Sequence, residues 1–166
     1  MPRRRDNTHS HQKLIIVIAT GIVVLIMGIN GIHLAQKSSN DTYILELNEI
    51  SNQSRLTTKN YENSIGEWKS DVMDDIEMLR ITDNNIKQLQ SLLSQLKSLE
   101  PPEKFKDGHE MNILSLKYEL QSNKHMRVYV ETHDQAEYEK SSELFQLAFD
   151  YETKAFALFI KANENT

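Results

Sequence analysis

The chain has 166 residues, a formal net charge of −5 and no cysteine. The missing cysteines exclude a disulfide framework, a thiolate zinc site, a cysteine nucleophile and a lipid-modified cysteine. Five glycines and three prolines are too few for the many tight turns of a sandwich or barrel, and 39% apolar with 26% charged residues fits neither a disordered chain nor a polytopic membrane protein.

Charge is unevenly spread. Residues 1–13 form a basic tail: Arg3, Arg4, Arg5 and Lys13 outweigh Asp6, so the rest of the chain carries −8. Residues 14–36 contain no charge at all, and in Leu14–Ile29 Thr20 is the one polar side chain. As a helix, Leu14–Ala35 would be roughly 33 Å long, enough to cross a hydrocarbon core of about 30 Å. The run predicts a transmembrane helix at 14–36 in contact with membrane lipid. A cleaved signal peptide would have a shorter apolar core and a small-x-small site, and His33-Leu34-Ala35 puts a bulky residue there. Positive flanks resist translocation, which places the N-terminus in the cytoplasm and the remainder outside it. The arginines read as this topology signal rather than a nucleic-acid patch, because the acidic bulk of the chain repels phosphate. His9 and His11 read as polar residues of the tail.

Residues 37–41 (KSSND) predict a short linker, and 42–166 an extracytoplasmic domain. Asn40 or Asp41 can cap a first helix running to about Lys69. Ser70 or Asp71 can cap a second, which must end before Pro101-Pro102. Pro102 suits the first turn of a third, reaching about Glu131. Asp134 caps a fourth that fades near Lys161. Each segment is about 28 residues, or roughly 42 Å. Equal lengths and short connections predict an all-α fold: an up-down-up-down four-helix bundle with coiled-coil-like packing, carried behind the N-terminal transmembrane helix.

Apolar stripes support this. The first helix offers Tyr43, Leu47, Ile50, Tyr61, Ile65 and Trp68. The second offers Val72, Ile76, Leu79, Ile86, Leu89, Leu93, Leu96 and Leu99. The third offers Phe105, Ile113, Leu116, Leu120 and Val130, and the fourth Leu144, Phe145, Ala148, Tyr151, Ala155, Leu158 and Phe159. Ser51, Ser54 and Thr58 interrupt the first stripe. Small side chains there allow close helix packing, the preferred reading, or leave a ligand cleft or a face shared by two copies. One boundary has a rival. Ile65, Val72, Leu79, Ile86 and Leu93 keep a seven-residue step, which would suit one long helix turning at Thr82-Asp83-Asn84-Asn85. The equal-length bundle is preferred.

Gly66-Glu67-Trp68, Ile81-Thr82-Asp83, Leu99-Glu100-Pro101-Pro102 with Phe105, and Glu119-Leu120-Gln121-Ser122 give the chain a faint likeness to known proteins. Ser141, Ser142 and Ala148 with Tyr151-Glu152 complete the set. On these residues the chain resembles single-pass archaeal membrane proteins with an extracytoplasmic helical domain. The resemblance implies a location and a fold, and no activity.

No catalytic, cofactor or metal site is predicted. No Glu-x-x-His occurs, and there is no HExxH, no Gly-rich phosphate loop and no Ser-His-Asp ordering to credit. His133 and Glu137 are four apart, but at a helix start, where Glu also favours the dipole. Three residues are candidate ligand or partner contacts. His109 lies a turn from Phe105 and Ile113, which predicts a half-buried histidine bonded to a neighbouring helix. Glu152 sits between Ala148 and Ala155 in an apolar stripe, so its carboxylate needs a partner. Lys or Arg from another helix is the simple answer, a small cationic ligand the sharper one. Trp68 predicts a cap on the bundle end. Asn40 and Asn52 head glycosylation sequons.

The expected function is a non-catalytic interaction module that meets a protein partner or a second copy of itself. The alternative is an extracytoplasmic ligand-binding or sensor domain. Bundle sensors have a second membrane span, and no apolar run after residue 36 is long enough for one, so a signal would leave through a partner subunit.

Overall fold

A computed structural model describes residues 39–164. The basic tail, the apolar run 14–36 and the start of the linker lie outside the described residues. Four helices and no strand are present among those described. They are α1 (Ser39–Lys69), α2 (Asp75–Ser98), α3 (Lys106–Thr132) and α4 (Gln135–Glu164). Among the described residues no helix is long and apolar enough to cross a membrane.

Local chemistry sets the boundaries. α1 begins at Ser39, so Asn40 and Asp41 fall inside its first turn and not at its cap, and the expected linker 37–41 is in part helical. α1 ends on Asp71, in the left-handed region at φ 59°. Val72 N–H reaches back to the Glu67 carbonyl and Asp71 N–H to that of Trp68, the hydrogen bonds of a Schellman motif. The turn therefore falls near Ser70, as the equal-length reading has it, and Thr82–Asn85 stays helical. The cap of α2 is Asp74, not Ser70 or Asp71: its side chain accepts from Glu77 N–H at 2.8 Å. This start corrects two assignments to the core. Val72 is 75% exposed and Ile76 80% exposed. Val72 belongs to the turn and Ile76 to the outer face of a first turn whose inner residue is Met78. The seven-residue step breaks because it runs across a non-helical connection.

Leu99 is extended ahead of Pro101, which stops α2. Pro102 then leads a 3-10 turn, Glu103–Phe105, and α3 starts one residue later than that turn. The expected Pro102 in the first α-helical turn is thus displaced by one short turn. It plants Phe105 in the core, between Tyr43 (ring centroids 5.7 Å) and Phe159 (5.8 Å). Gly108 faces the same Phe159 ring so closely that an added Cβ would sit 2.9 Å from it. α3 ends at His133, left-handed at φ 55°. Asp134 caps α4 as expected, accepting from Ala136 N–H at 3.0 Å.

The interior has three levels. Near the start of α1 a large apolar core gathers Leu47, Ile50, Leu89, Leu93, Leu96, Leu116 and Phe159. At the far end Tyr61, Met78, Met126 and Val130 form a smaller one. Between them lies a polar belt. Asn123 donates to Asn85 (2.6 Å), Asn85 to the Thr57 carbonyl (3.3 Å), Tyr61 to Thr82 (3.1 Å) and Ser122 to the Ser141 carbonyl (2.8 Å). Buried polar groups in this belt are partnered, as burial demands.

α2 packs on α3, and α3 on α4 along most of its length. α1 stands further off: among the described residues no Cα of α1 comes within 8 Å of one in α3 or α4. Side chains bridge that distance, Tyr43 to His109, Thr58 to Glu119 and Lys69 to Tyr138. Space remains along the seam between α1 and α4.

Candidate functional site

The open seam is a cleft with α1 and α4 as walls and α3 as floor. Its half nearer the start of α1 holds a cavity of about 60 Å³ beside Ser51, Ser54, Thr58, Glu119 and Glu152. Its other half holds a cavity of about 110 Å³ against Tyr61, Glu62, Ile65, Met126 and Phe145. Thr58 borders both halves. Ser51 and Ser54 are half-buried and border this space, which favours the cleft reading for them, whereas buried Thr58 packs directly on Glu119 of α3.

Three carboxyl groups line the cleft, one from each surrounding helix. Glu119 of α3 is 7% exposed. Burial pushes it up to about 8; the hydrogen bond with Thr58 works against this, and Glu152 and Glu62 add to it. Burial likewise pushes Glu62 of α1 and Glu152 of α4 up to about 7 each. Glu62 Oε1 is enclosed and meets no hydrogen-bond partner. No basic group lowers any of the three. The expected Lys or Arg partner for Glu152 is therefore absent among the described residues, and the carboxyl is accommodated by taking a proton.

Side chains reach between α1 and α4 at two places flanking the cleft. At one end Phe105 bridges Tyr43 of α1 and Phe159 of α4. At the other, Lys69 of α1 donates to the Tyr138 hydroxyl of α4 at 2.9 Å and rests 4.5 Å above the same ring.

The three residues singled out from sequence are not brought together. Glu152 lies in the cleft. His109 is 5% exposed and shares a 3.1 Å hydrogen bond with the Tyr43 hydroxyl. Burial holds its imidazole below the usual range, with Glu110 opposing, so it is a neutral core group that ties α3 to α1. Trp68 closes the far end: its indole N–H donates to Asp75 at 2.7 Å, and its ring stacks on His133 and meets Tyr129 edge-on. Both its polar and its apolar surfaces are used internally. Of the sequons, Asn52 is half-buried within α1, and Asn40 lies in the first turn of the same helix. His133 and Glu137 do not meet. Glu137 pairs with His125 (2.6 Å) and His133 with Asp75 (3.2 Å). Among the described residues no three His, Asp or Glu side chains are grouped to hold a metal ion.

Sequence reasoning missed Glu62 and Glu119. The signal was available: Glu119 follows Leu116 by three, and Glu62 follows Thr58 by four and precedes Ile65 by three. Both extend an inward stripe. No family model, no curated protein and no solved structure matches the chain, so the cleft itself is what bears on function.

Proposed function

We propose that the chain is a non-catalytic binding module, held on the outer face of the cell membrane by residues 14–36, with the α1/α4 cleft as its receiving site. One observation carries this reading: α1 is packed by its backbone on α2 alone and leaves a lined space over α3. A bundle that served only as a spacer would gain by closing that seam, because apolar surface such as Ile65 and Phe145 would leave water.

Of the two expected roles, the cleft favours ligand binding over a module that only meets a protein partner or a second copy. α1 is also the helix that follows the apolar run in sequence. Filling the cleft shifts the helix with the fewest neighbours, and a shift of α1 is felt at the membrane and by any partner subunit there. Self-association through the same face is the second role of such an open seam.

The absence of native cysteine makes the test direct. A membrane-impermeant maleimide is added to intact cells carrying Ser54→Cys or, as an outer-face control, Lys87→Cys. Labelling of both supports an external domain with an open cleft. Labelling of Lys87→Cys alone would show a closed seam, and labelling of neither would place the domain inside.

A further inference from the structure

The space is small: cavities of about 60 and 110 Å³ lie on either side of Thr58. The Tyr43–Phe105–Phe159 stack and the Lys69–Tyr138 contact flank them along α1. Space of this size suits a small molecule rather than a partner helix. The interior is chemically divided. Ile65, Met126 and Phe145 offer apolar wall, and Glu62, Glu119 and Glu152 offer acceptor oxygens around Thr58.

The charges facing this space are unbalanced. From α1 come Arg55, Glu62 and Lys69; from α3, Glu119; from α4, Glu152 and the Tyr138 hydroxyl. Lys69 is engaged with Tyr138, and neither it nor Arg55 lowers a carboxyl in the cleft. Glu62 Oε1 is the clearest vacancy: an enclosed acceptor with no donor. A buried acceptor left without a donor is destabilising, and an N–H donor arriving with a ligand removes that cost.

We propose that the cleft takes a small organic cation with an apolar body, its ammonium group beside Glu62 and Glu119 or Glu152 and its hydrocarbon against Ile65, Met126 and Phe145. This rests on the cleft being the receiving site. Burial raises Glu62 and Glu152 to about 7 and Glu119 to about 8, so near pH 7 the protonated and ionised forms are both within reach. An entering ammonium favours the ionised form. One carboxyl proton then passes to solvent, an ion pair replaces a neutral acid, and the total charge is conserved. A neutral alcohol of the same length gains the apolar contacts without the ion pair, and an anion faces three acids.

The test uses the full chain in nanodiscs of zwitterionic lipid at pH 7, with empty nanodiscs as blank. Hexylammonium, hexanol and hexanoate are titrated calorimetrically in two buffers of different ionisation enthalpy. Hexylammonium is expected to bind about tenfold more tightly than hexanol, with proton release, and hexanoate not to bind. Glu62→Gln should reduce that preference to about threefold or less while leaving hexanol unchanged. Glu100→Gln, an exposed carboxylate outside the cleft, should leave the preference intact, which separates the site from general surface attraction. Equal affinity for ammonium and alcohol, or loss of the preference on Glu100→Gln, overturns the cation and leaves the cleft as a receiving site. Absence of binding by all three probes, with Ser54→Cys unlabelled, overturns the receiving site itself.

Discussion

Thr58 on α1 and Glu119 on α3 share a 2.5 Å hydrogen bond, while the same Thr58 hydroxyl lies 3.0 Å from the Ser54 carbonyl. One hydroxyl proton serves one acceptor. If Glu119 is ionised, two acceptors compete for it. If Glu119 is protonated, its O–H donates to Thr58 Oγ1 and Thr58 donates to Ser54, and every group is satisfied. This arrangement agrees with burial, which pushes Glu119 up to about 8.

Stability should therefore fall as pH rises. Glu119, Glu62 and Glu152 have folded-state values near 8, 7 and 7, against 4.5 in the unfolded chain. Between 4.5 and about 8 the folded state binds more protons than the unfolded state, so unfolding free energy decreases with pH. The contribution is complete below 4.5 and lost as pH passes the folded values. Urea unfolding of residues 38–166 should show a loss of about 1.4 kcal/mol per pH unit for each fully linked proton in mid-window. Glu119→Gln keeps a donor towards Thr58 and cannot ionise. It should flatten the slope and exceed wild type in stability at pH 8. A flat wild-type profile would show that these carboxyls are solvated.

The same domain, residues 38–166, should be soluble, helical and cooperative when made alone. Leu93 and Leu116 are buried in the larger core. Alanine at either should cost about 2–5 kcal/mol, read from the same urea curves with the slope unchanged. If both changes are silent, the larger core is not where the stability of the fold resides.

The number and order of the helices were legible because the apolar stripes repeat at three and four and because Pro101-Pro102 and Asp134 mark their ends; the equal lengths were not met, since α1 has 31 residues and α2 24. Two kinds of feature were not. Val72 and Ile76 fit the apolar spacing that leads on to Leu79 and Ile86, but hydrophobic spacing says nothing about whether the intervening backbone is helical. The Schellman turn at Asp71 interrupts it without a glycine. The cleft was half visible. Ser51, Ser54 and Thr58 announced a missing apolar contact, and Glu152 an acid in an apolar stripe. That Glu62 and Glu119 complete the site depends on three helices meeting, which periodicity along one helix does not encode.

The two left-handed residues give opposite expectations. Asp71 at φ 59° holds the end of α1, and its side chain is exposed. Asp71→Gly removes the Cβ penalty at that cap and should stabilise by up to about 1 kcal/mol. His133 at φ 55° sits at the equivalent place after α3, but its ring stacks on Trp68 and reaches Asp75. His133→Gly relieves the same strain and loses those contacts, so its net effect should be zero or negative. Thermal melts of the two variants side by side check this. A gain from His133→Gly equal to that from Asp71→Gly would mean that the Trp68 cap contributes nothing.

Ser54→Leu tests the open seam from the protein's own side. Ser54 is half-buried and borders the half of the cleft with a cavity of about 60 Å³. In a tightly packed seam, a leucine there would force neighbours aside and cost about 1–3 kcal/mol. In an open one it buries apolar surface against Leu96 and Leu116, which line the same space, and should leave stability unchanged or raise it by about 1 kcal/mol. The change also destroys the sequon headed by Asn52, so the protein is made in a host that does not glycosylate. Ser51→Leu serves as a companion that fills the same half and keeps the sequon. Both variants should melt at or above the wild-type temperature and sediment as wild type. Both should weaken hexylammonium binding, because the new side chain occupies the approach to Glu119 and Glu152. A large loss of stability in both would close the seam and remove the cleft as a site. A change in sedimentation with stability intact would instead identify this face as the contact between two copies.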